Sequence, residues 1–363
     1  MKPKDLIYFA VLIALSGGIW FGGYQLGISR NWVLIIALTL FVIGVITWLV
    51  LWILALRRAA RIEKGLQQRP AGDAGPGAAS SAGGEAEMQE QFNKYLAALK
   101  TSPTGKTALG ELPWYMVIGA PGSGKTTALQ ESGLAFSSMG HGLRSIRGVG
   151  GTRNCDWWFA DNAILLDTAG RYTTQPEDHG EWLKFLDLVR EARGRRALNG
   201  IIVTVSVGDL IKGDPSAIAA VVRPIRERII EVSNRLRLVL PVYVVFSKAD
   251  LIGGFKDFFA GFDRAQRDQV WGATIPPAER RPARDVFSER IAPLTAALQA
   301  RRTAAVSSGS RTPAQLAKLT LMPGNFAALQ KWFGEFVGEL FAPMPIADQP
   351  VFRGFYFTSA TQG

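Results

Sequence analysis

The feature that most constrains this chain is a glycine-rich turn between a short apolar run and a helical pattern, in the stretch WYMVIGAPGSGKTT. Gly119, Gly124, Lys125 and Thr126 satisfy the pattern G-x-x-x-x-G-K-[ST]. Glycines at such positions let successive backbone N–H groups converge on one anion, and the following helix adds its positive end. The apolar run before the turn is typical of a buried strand, so the context is that of a P-loop. The stretch predicts a site for the phosphates of a nucleotide.

The residues of this loop have distinct expected roles. Lys125 is expected to reach the β- and γ-phosphates, and the Thr126 hydroxyl to bind Mg²⁺. A tight strand-to-helix turn with a chance lysine is the alternative, and the flanking strand and helix patterns argue against it. The residues predicted to bind the nucleotide here are Gly119, Pro121, Gly122, Ser123, Gly124, Lys125, Thr126 and Thr127.

Length, cysteine content and charge narrow the class of protein. The 363 residues suffice for one large domain or two ordinary ones. A single cysteine, Cys155, excludes an intrachain disulfide and suits a reducing compartment. The net charge of +11 suits nucleic acid or an anionic membrane surface. Because basic residues gather after an apolar run, with no stripe of interleaved aromatics, we predict a membrane and no nucleic-acid partner.

Two uncharged apolar runs open the chain, over residues 6–28 and 32–56. Each is about as long as a bilayer span requires. A cleaved signal peptide is the alternative for the first run, but the run is too long and no small-x-small site precedes the second. We therefore predict a two-helix transmembrane hairpin over residues 1–60. Basic residues on both outer sides place both of its ends in the cytoplasm.

The rest of the chain divides into a linker and one α/β domain. Residues 61–87, rich in small and polar residues, predict a flexible tether. Strand and helix patterns then alternate over residues 88–363, which predicts a three-layer P-loop domain with a mostly parallel sheet. A long helical pattern, over about residues 253–345, predicts an insertion. The predicted strands are 115–118, 156–159, 163–166, 200–207, 241–246 and 351–357, and the main predicted helices are 88–100, 181–195 and 215–236.

Further motifs lie at the ends of these strands. Asp167 and Gly170 form D-x-x-G, in which the carboxylate meets Mg²⁺ through its water shell and the glycine N–H faces the γ-phosphate. Ser247-Lys248-Ala249-Asp250 resembles the [NT]-K-x-D loop that reads guanine, with Lys248 and Asp250 at the nucleotide. Ser359 and Ala360 resemble the loop whose N–H contacts the oxygen of the base.

Thr152 and Arg171 are the predicted catalytic residues. Thr152 stands between the P-loop and D-x-x-G, where a switch threonine would close over Mg²⁺. A plain loop threonine is the alternative. In order, these motifs resemble a small GTPase-like G domain, with two departures: Ser247 replaces Asn or Thr, and Arg171 stands where many G domains have a water-orienting Gln. Arg171 either stabilises transition-state charge in cis or is a surface charge, and both roles remain open.

Three longer stretches carry a more specific resemblance. GGTRNCDWWF at 150–159, DTAGRYTTQ at 167–175 and the closing GFYFTS at 354–359 are similar to the TssM/IcmF family, the inner-membrane component of type VI secretion systems. Members are much longer, so the chain resembles an N-terminal fragment. The resemblance implies TssL as a partner in the inner membrane, TssJ through a periplasmic part, baseplate components in the cytoplasm, and a homo-oligomer.

Three functions are compatible with these residues. The first is a membrane-anchored switch in which Mg²⁺ and GTP or GDP set the loops, with slow GTP hydrolysis. The second is a scaffold whose nucleotide fold does not hydrolyse. The third is an ATPase that energises secretion, and ATP stays the alternative nucleotide. A motor usually has an acidic residue directly after the Mg²⁺ aspartate, where this chain has Thr168.

Several conspicuous residues are expected to be structural only. Trp157 and Trp158 should face opposite sides of their strand, because side chains alternate along a strand. His141 and His179 lack metal-ligand companions, so we expect surface histidines. Cys155 has no base beside it in the sequence and is expected to be a small packing residue.

Overall fold

The computed structural model describes residues 35, 38, 39, 88–97, 110–134, 136, 155–307, 312–343 and 349–360. Apart from residues 35, 38, 39 and 110, these belong to one of two compact units, Pro70–Gly105 with Glu111–Gly363. The predicted hairpin and linker lie outside the described residues, save for the three near the start. Within the described ranges, no helix is both long and apolar enough to cross a bilayer. The boundaries at 60 and 87 stay predictions.

The described part contains seven strands and nine α-helical segments of four residues or more. The strands are β1 Trp114–Ile118, β2 Cys155–Ala160, β3 Ala163–Thr168, β4 Gly200–Ser206, β5 Pro241–Ser247, β6 Gly272–Thr274 and β7 Val351–Phe357. The helices are α1 88–97, α2 Lys125–Gln130, α3 His179–Arg193, α4 Val207–Leu210, α5 Pro215–Leu236, α6 Phe255–Phe259, α7 Arg264–Arg267, α8 Ala283–Ser307 and α9 Pro313–Leu340. Short 3₁₀ turns cover Gly170–Thr173, Pro176–Asp178, Gly194–Arg196 and Ala249–Leu251.

All seven strands form one sheet in the order β2-β3-β1-β4-β5-β7-β6. The five central strands are parallel, and the outer strands β2 and β6 are antiparallel to their neighbours. The prediction of a mostly parallel α/β sheet is confirmed. The strands predicted at 156–159 and 163–166 pair with each other as an antiparallel β-hairpin, in a register that places Trp158 opposite Leu165. The loops after β1, β3, β5 and β7 therefore meet at one edge, where parallel sheets bind ligands.

The two faces of the sheet pack against different helices. Trp114 and Met116 of β1 point to one face and are fully buried. Tyr115 and Val117 point to the other, where Val117 packs with Leu129 of α2. Along β5 the same alternation buries every second residue. We call the first the helix-covered face, since α1, α3, α8 and α9 send side chains onto it.

Near β1 and β2, the helix-covered face is an aromatic cluster. The ring of Trp157 lies 5.0 Å from that of Phe92 in α1 and 4.9 Å from that of Trp114, both edge-on. Phe92 also meets Phe185 of α3 at 6.5 Å. Trp158 points the other way and packs on Phe136, so the two tryptophans do face opposite sides as predicted.

The helix α5 is bounded by its own sequence. Asp214 accepts a hydrogen bond from the Ser216 N–H, and Pro215 occupies the first turn, where its missing N–H costs nothing. Arg237 ends the helix in the left-handed conformation. These signals explain why the predicted bounds, 215–236, agree with the structure.

The insertion between β5 and β7 is helical, as predicted, and it also contains a strand. It contains the helices α6 to α9. Between α7 and α8 lies β6, which pairs its three residues with the edge of β7 that β5 does not occupy. Phe246 of β5 is fully buried and meets two rings of the insertion, Phe333 at 4.8 Å and Phe287 at 6.2 Å. The insertion therefore completes the core of the domain.

Candidate functional site

The P-loop runs from the end of β1 to the start of α2, and its glycines are required by geometry. Gly122 and Gly124 have φ angles of 70° and 84°, a left-handed conformation that other residues rarely adopt. A Cβ added at Gly119 would lie 2.3 Å from the backbone oxygen of Thr204. The loop therefore passes so close to β4 that a side chain at Gly119 does not fit.

Lys125 is folded into this loop. Its Nζ donates to the carbonyl oxygens of Gly119 at 2.8 Å and Ala120 at 3.1 Å, and the residue is 7% exposed. Burial lowers the pKa of Lys125, and the nearby charge of Asp167 partly opposes that shift. The amine thus lies inside the loop that is predicted to surround the phosphates.

The predicted Mg²⁺ residues meet beside it. The Thr126 hydroxyl donates to Asp167 Oδ2 at 2.6 Å, which brings the start of α2 to the end of β3. Asp167 is fully buried. A hydroxyl and a carboxylate at this distance are oxygen donors of the kind that Mg²⁺ takes beside nucleotide phosphates. No group of three or more His, Cys, Asp or Glu side chains among the described residues is placed to hold a metal. The donor set therefore fits a Mg²⁺ that obtains its other ligands from phosphate and water.

Gly170 lies directly against the P-loop. A Cβ added at Gly170 would be 2.6 Å from both Cα and N of Pro121. The glycine that ends the D-x-x-G motif is therefore held against the P-loop, where only glycine allows so close an approach.

Arg171, one residue further on, points into a set of acidic and aromatic groups. Its Nη2 donates to both carboxylate oxygens of Glu181 at 2.8 Å, and Nη1 pairs with Asp178. The guanidinium also lies 4.9 Å from the centre of the Tyr172 ring. Burial alone would lower the pKa of Arg171, but the hydrogen bonds to Glu181 and Asp178 outweigh it and raise the pKa.

Ser247, at the start of the loop predicted to read the base, connects that loop to the P-loop. Its hydroxyl donates to the carbonyl oxygen of Ser123 in the P-loop, and it also lies 3.2 Å from that of Val205. Lys248 follows in the left-handed conformation, with its side chain close to Gly124. The hydroxyl at Ser247, where Asn or Thr was expected, thus connects the two loops.

The two loops predicted to read the base contact each other. Ser359 Oγ donates to Asp250 Oδ1 at 2.6 Å, and the backbone N–H of Ala249 donates to the Thr358 oxygen at 3.0 Å. Ala360 follows and is exposed. Asp250, Ser359 and Ala360 therefore belong to one loop pair at the carboxyl ends of β5 and β7.

Some of the remaining predicted residues lie within the described part of the chain and others lie outside it. Pro121 and Thr127 are exposed at the loop, and Ser123 is buried within it. Thr152, the predicted switch threonine, lies outside the described residues, as does His141. The roles given to all of these residues stay predictions.

The residues expected to be structural occupy ordinary environments. Cys155 is 5% exposed, and burial raises the pKa of its thiol well above the usual value. It starts β2 and packs in the sheet. His179 is half-exposed and its Nε2 lies 2.9 Å from Glu231 Oε1.

Sequence reasoning missed the acidic partners of Arg171. Glu181 is 8% exposed and also accepts from the Tyr172 hydroxyl at 2.7 Å. One signal was available: Glu181 stands four residues before Phe185, so it lies on the apolar face of α3. A carboxylate on such a face indicates a buried polar partner.

Comparison with known proteins gives a family and one close relative. Residues 175–363 match the family described as IcmF-related N-terminal domain. The type VI secretion system component TssM1 of Pseudomonas aeruginosa is 44% identical over 302 residues, which is 79% of this chain and 27% of that relative. The chain thus spans little more than a quarter of the relative's length.

Solved structures of low similarity were also found. The GDP complex of a small COPII coat GTPase, SAR1, from Encephalitozoon cuniculi matches at 14% identity with a TM-score of 0.32, over 78% of this chain and 84% of that one. The signal recognition particle receptor SRb–GTP/SRX complex from Chaetomium thermophilum matches at 19% identity and a TM-score of 0.26, over 38% and 70% of the two chains. The fold is established by the strand order of the sheet and not by these similarities.

Proposed function

The chain belongs to the IcmF-related family, and from that membership we propose that it is the nucleotide-binding part of an inner-membrane component of a type VI secretion complex. The similarity to TssM1 supports this proposal. In it, the hairpin over residues 1–60 anchors the chain and the P-loop domain lies in the cytoplasm. TssL, TssJ, the baseplate and further copies of the chain are the proposed partners.

The proposed activity is binding of a Mg²⁺-bound nucleoside triphosphate, with slow hydrolysis. One observation carries it: Thr126 donates to the buried Asp167 beside the buried amine of Lys125. Three such groups, brought together from the ends of two parallel strands, have no packing role that an apolar residue would not fill better. Mg²⁺, when bound, would offset the negative charge of the phosphates.

The chain's own residues would bind the phosphates and respond to them. Lys125 would exchange its two carbonyl partners for phosphate oxygens, since a charge-assisted hydrogen bond to an anion is stronger than one to a neutral carbonyl. The backbone near Gly170, already in contact with Pro121, would respond to the presence of a γ-phosphate. We propose that this response biases assembly of the secretion complex.

Guanine is the proposed base. Asp250 has its carboxylate beside Ser359 at the mouth of the site, where it can accept from the two ring-edge donors of guanine. Adenine lacks that pair of donors. A site built on Asp250 should therefore prefer guanine. An adenine nucleotide is the alternative, and binding of GDP compared with ADP distinguishes the two.

Equilibrium binding is the direct test. Fluorescent GDP and ADP are titrated, with Mg²⁺, against the 363-residue chain in detergent and against three variants: Lys125→Ala, Asp250→Ala and, as a matched lysine control, the exposed Lys256→Ala. Guanine-selective binding that is lost in the first two variants and kept in the third is expected. Absence of binding to folded protein would contradict the proposal, and ADP binding indifferent to Asp250 would overturn the base assignment.

The switch is tested in cells. Lys125→Ala in the full-length protein is expected to reduce secretion, whereas Lys256→Ala is not. A scaffold that does not use its nucleotide is the second candidate, and the ion pairs of Arg171 with Glu181 and Asp178 favour it, because they occupy the one nearby arginine proposed for catalysis. Normal secretion by Lys125→Ala protein at normal abundance would establish the scaffold.

A further inference from the structure

The surroundings of Arg171 join three consecutive pieces of the chain. Arg171 and Tyr172 belong to the turn Gly170–Thr173, Asp178 to the next turn and Glu181 to the first turn of α3. The side chain of Arg171 is 25% exposed, that of Asp178 16% and that of Glu181 10%. The guanidinium is therefore held largely away from bulk water, and the two carboxylates that pair with it were not part of any predicted motif.

The charges of this cluster do not cancel. One guanidinium faces two carboxylates, so the cluster has a formal charge of −1 when all three groups are ionised. Burial, the Glu181 contact and the charge of Glu181 raise the pKa of Tyr172, which keeps its hydroxyl protonated and donating. A triphosphate that approaches this cluster meets no free positive charge from Arg171.

The backbone of this turn, by contrast, lies against the P-loop. Gly170 touches Pro121 of the P-loop, and Arg171 is its immediate neighbour in the chain. The hydrogen bonds to Glu181 and the ion pair with Asp178 hold the guanidinium in its carboxylate cluster. A change of rotamer, without movement of the loop, is enough to bring an arginine side chain from one direction to another.

We propose that Glu181 and Asp178 act as positioning residues that withhold Arg171 from the γ-phosphate, so that nucleotide hydrolysis stays slow until these ion pairs open. The inference rests on the proposed function, since it concerns hydrolysis at the same site. In the reaction, a water oxygen bonds to the γ-phosphorus and the bond to the bridging oxygen of the β-phosphate breaks. The products are a nucleoside diphosphate and inorganic phosphate, and a proton is released to solvent.

Glu181→Gln is the variant that tests this inference. The amide keeps an acceptor for the Tyr172 hydroxyl but removes one of the two negative charges that hold Arg171. We expect kcat for hydrolysis of GTP to rise about tenfold or more with KM unchanged, a part of the roughly 10³-fold or greater effect that an arginine supplied to a GTPase site has. Glu177→Gln, an exposed acid one residue before Asp178, is the control and leaves kcat unchanged.

A second substitution separates release of Arg171 from loosening of the loop. In Arg171→Ala protein, adding Glu181→Gln is expected to change kcat by less than twofold, because the residue that Glu181 restrains is gone. Asp178→Asn serves where Glu181→Gln fails to fold, and it too should raise kcat only when Arg171 is present. The melting temperature with and without nucleotide shows which variants are folded.

The outcomes distinguish this inference from the proposed function. Wild-type protein that binds neither GDP nor ADP refutes the proposed function and the inference with it. Nucleotide binding with an unchanged or lower kcat in folded Glu181→Gln and Asp178→Asn protein refutes the inference alone. An equal rise of kcat in the presence and absence of Arg171 also refutes it, since the effect would then not pass through that residue.

Discussion

Gly170→Ala tests how closely the D-x-x-G loop must approach the P-loop. The new Cβ would stand 2.6 Å from Cα and N of Pro121 and 3.0 Å from the carbonyl carbon of Ala120. Carbon atoms in contact lie about 3.5–4.0 Å apart, so the two loops must separate by about 1 Å. Gly170 is not among the glycines with positive φ, so alanine suits its own backbone and only the contact is lost.

The size of the effect follows from that separation. A misplacement of about 1 Å in a catalytic site can lower the reaction rate about 10²-fold, which corresponds to about 2.7 kcal/mol, and we take a loss of the same size for the contact with the γ-phosphate. We expect affinity for a non-hydrolysable GTP analogue to fall by about that factor, because its γ-phosphate needs both loops. Affinity for GDP, which needs the P-loop alone, should fall by less than about tenfold.

The assay is a fluorescence titration of both nucleotides, with thermal melting to show that the variant is folded. Gly324→Ala is the control, because Gly324 lies within α9 with no atom within 4 Å of an added Cβ. It should bind both nucleotides normally and be more stable by up to about 1 kcal/mol. If Gly170→Ala binds the GTP analogue as well as the wild type does, the close contact has no part in binding and the reasoning is refuted.

Three further predictions concern single groups. Burial lowers the pKa of Lys125 in the free protein, and a bound phosphate would raise it. Nucleotide affinity should therefore fall as the pH rises above the pKa that Lys125 has in the free protein. Binding titrations of Lys125→Ala protein should lack this pH dependence. Cys155 is buried with a raised pKa, so a thiol reagent should label it only after denaturant is added; rapid labelling of native protein would contradict its placement. Phe246→Ala should lower the free energy of unfolding by about 3–5 kcal/mol in urea titrations, since the ring is fully buried; a loss under about 1 kcal/mol would contradict the packing.

Much of the sheet was predictable because its signals are local. The strands β4 and β5 are almost continuous apolar runs, which is typical of buried parallel strands. Asp214 and Pro215 mark the start of α5 in the sequence itself. At the candidate site, each motif follows one of these strands, and parallel strands bring such loops together.

The parts that were missed depend on distant contacts. The strand β6 has three residues, too few for any alternation to show, and it forms because β7 offers an unpaired edge. Pro293 and Pro323 lie inside α8 and α9 although proline ordinarily disfavours a helix interior, so the extent of these two helices was not predictable from local sequence. The partners of Arg171 could not be assigned, because Asp178 and Glu181 reach it only once two turns have folded.

The insertion makes hydrogen bonds next to both of the loops that are proposed to read the base. Asn325 of α9 donates to the carbonyl oxygen of Gly253 at 2.9 Å, three residues beyond Asp250. The N–H of Phe357 donates to the Trp271 oxygen at 2.8 Å, just before the loop that carries Ser359. Both of these loops thus make contact with the insertion, while the P-loop lies against β4, where Gly119 approaches Thr204. The sheet therefore positions the P-loop, whereas the insertion helps to position the two loops that are proposed to read the base.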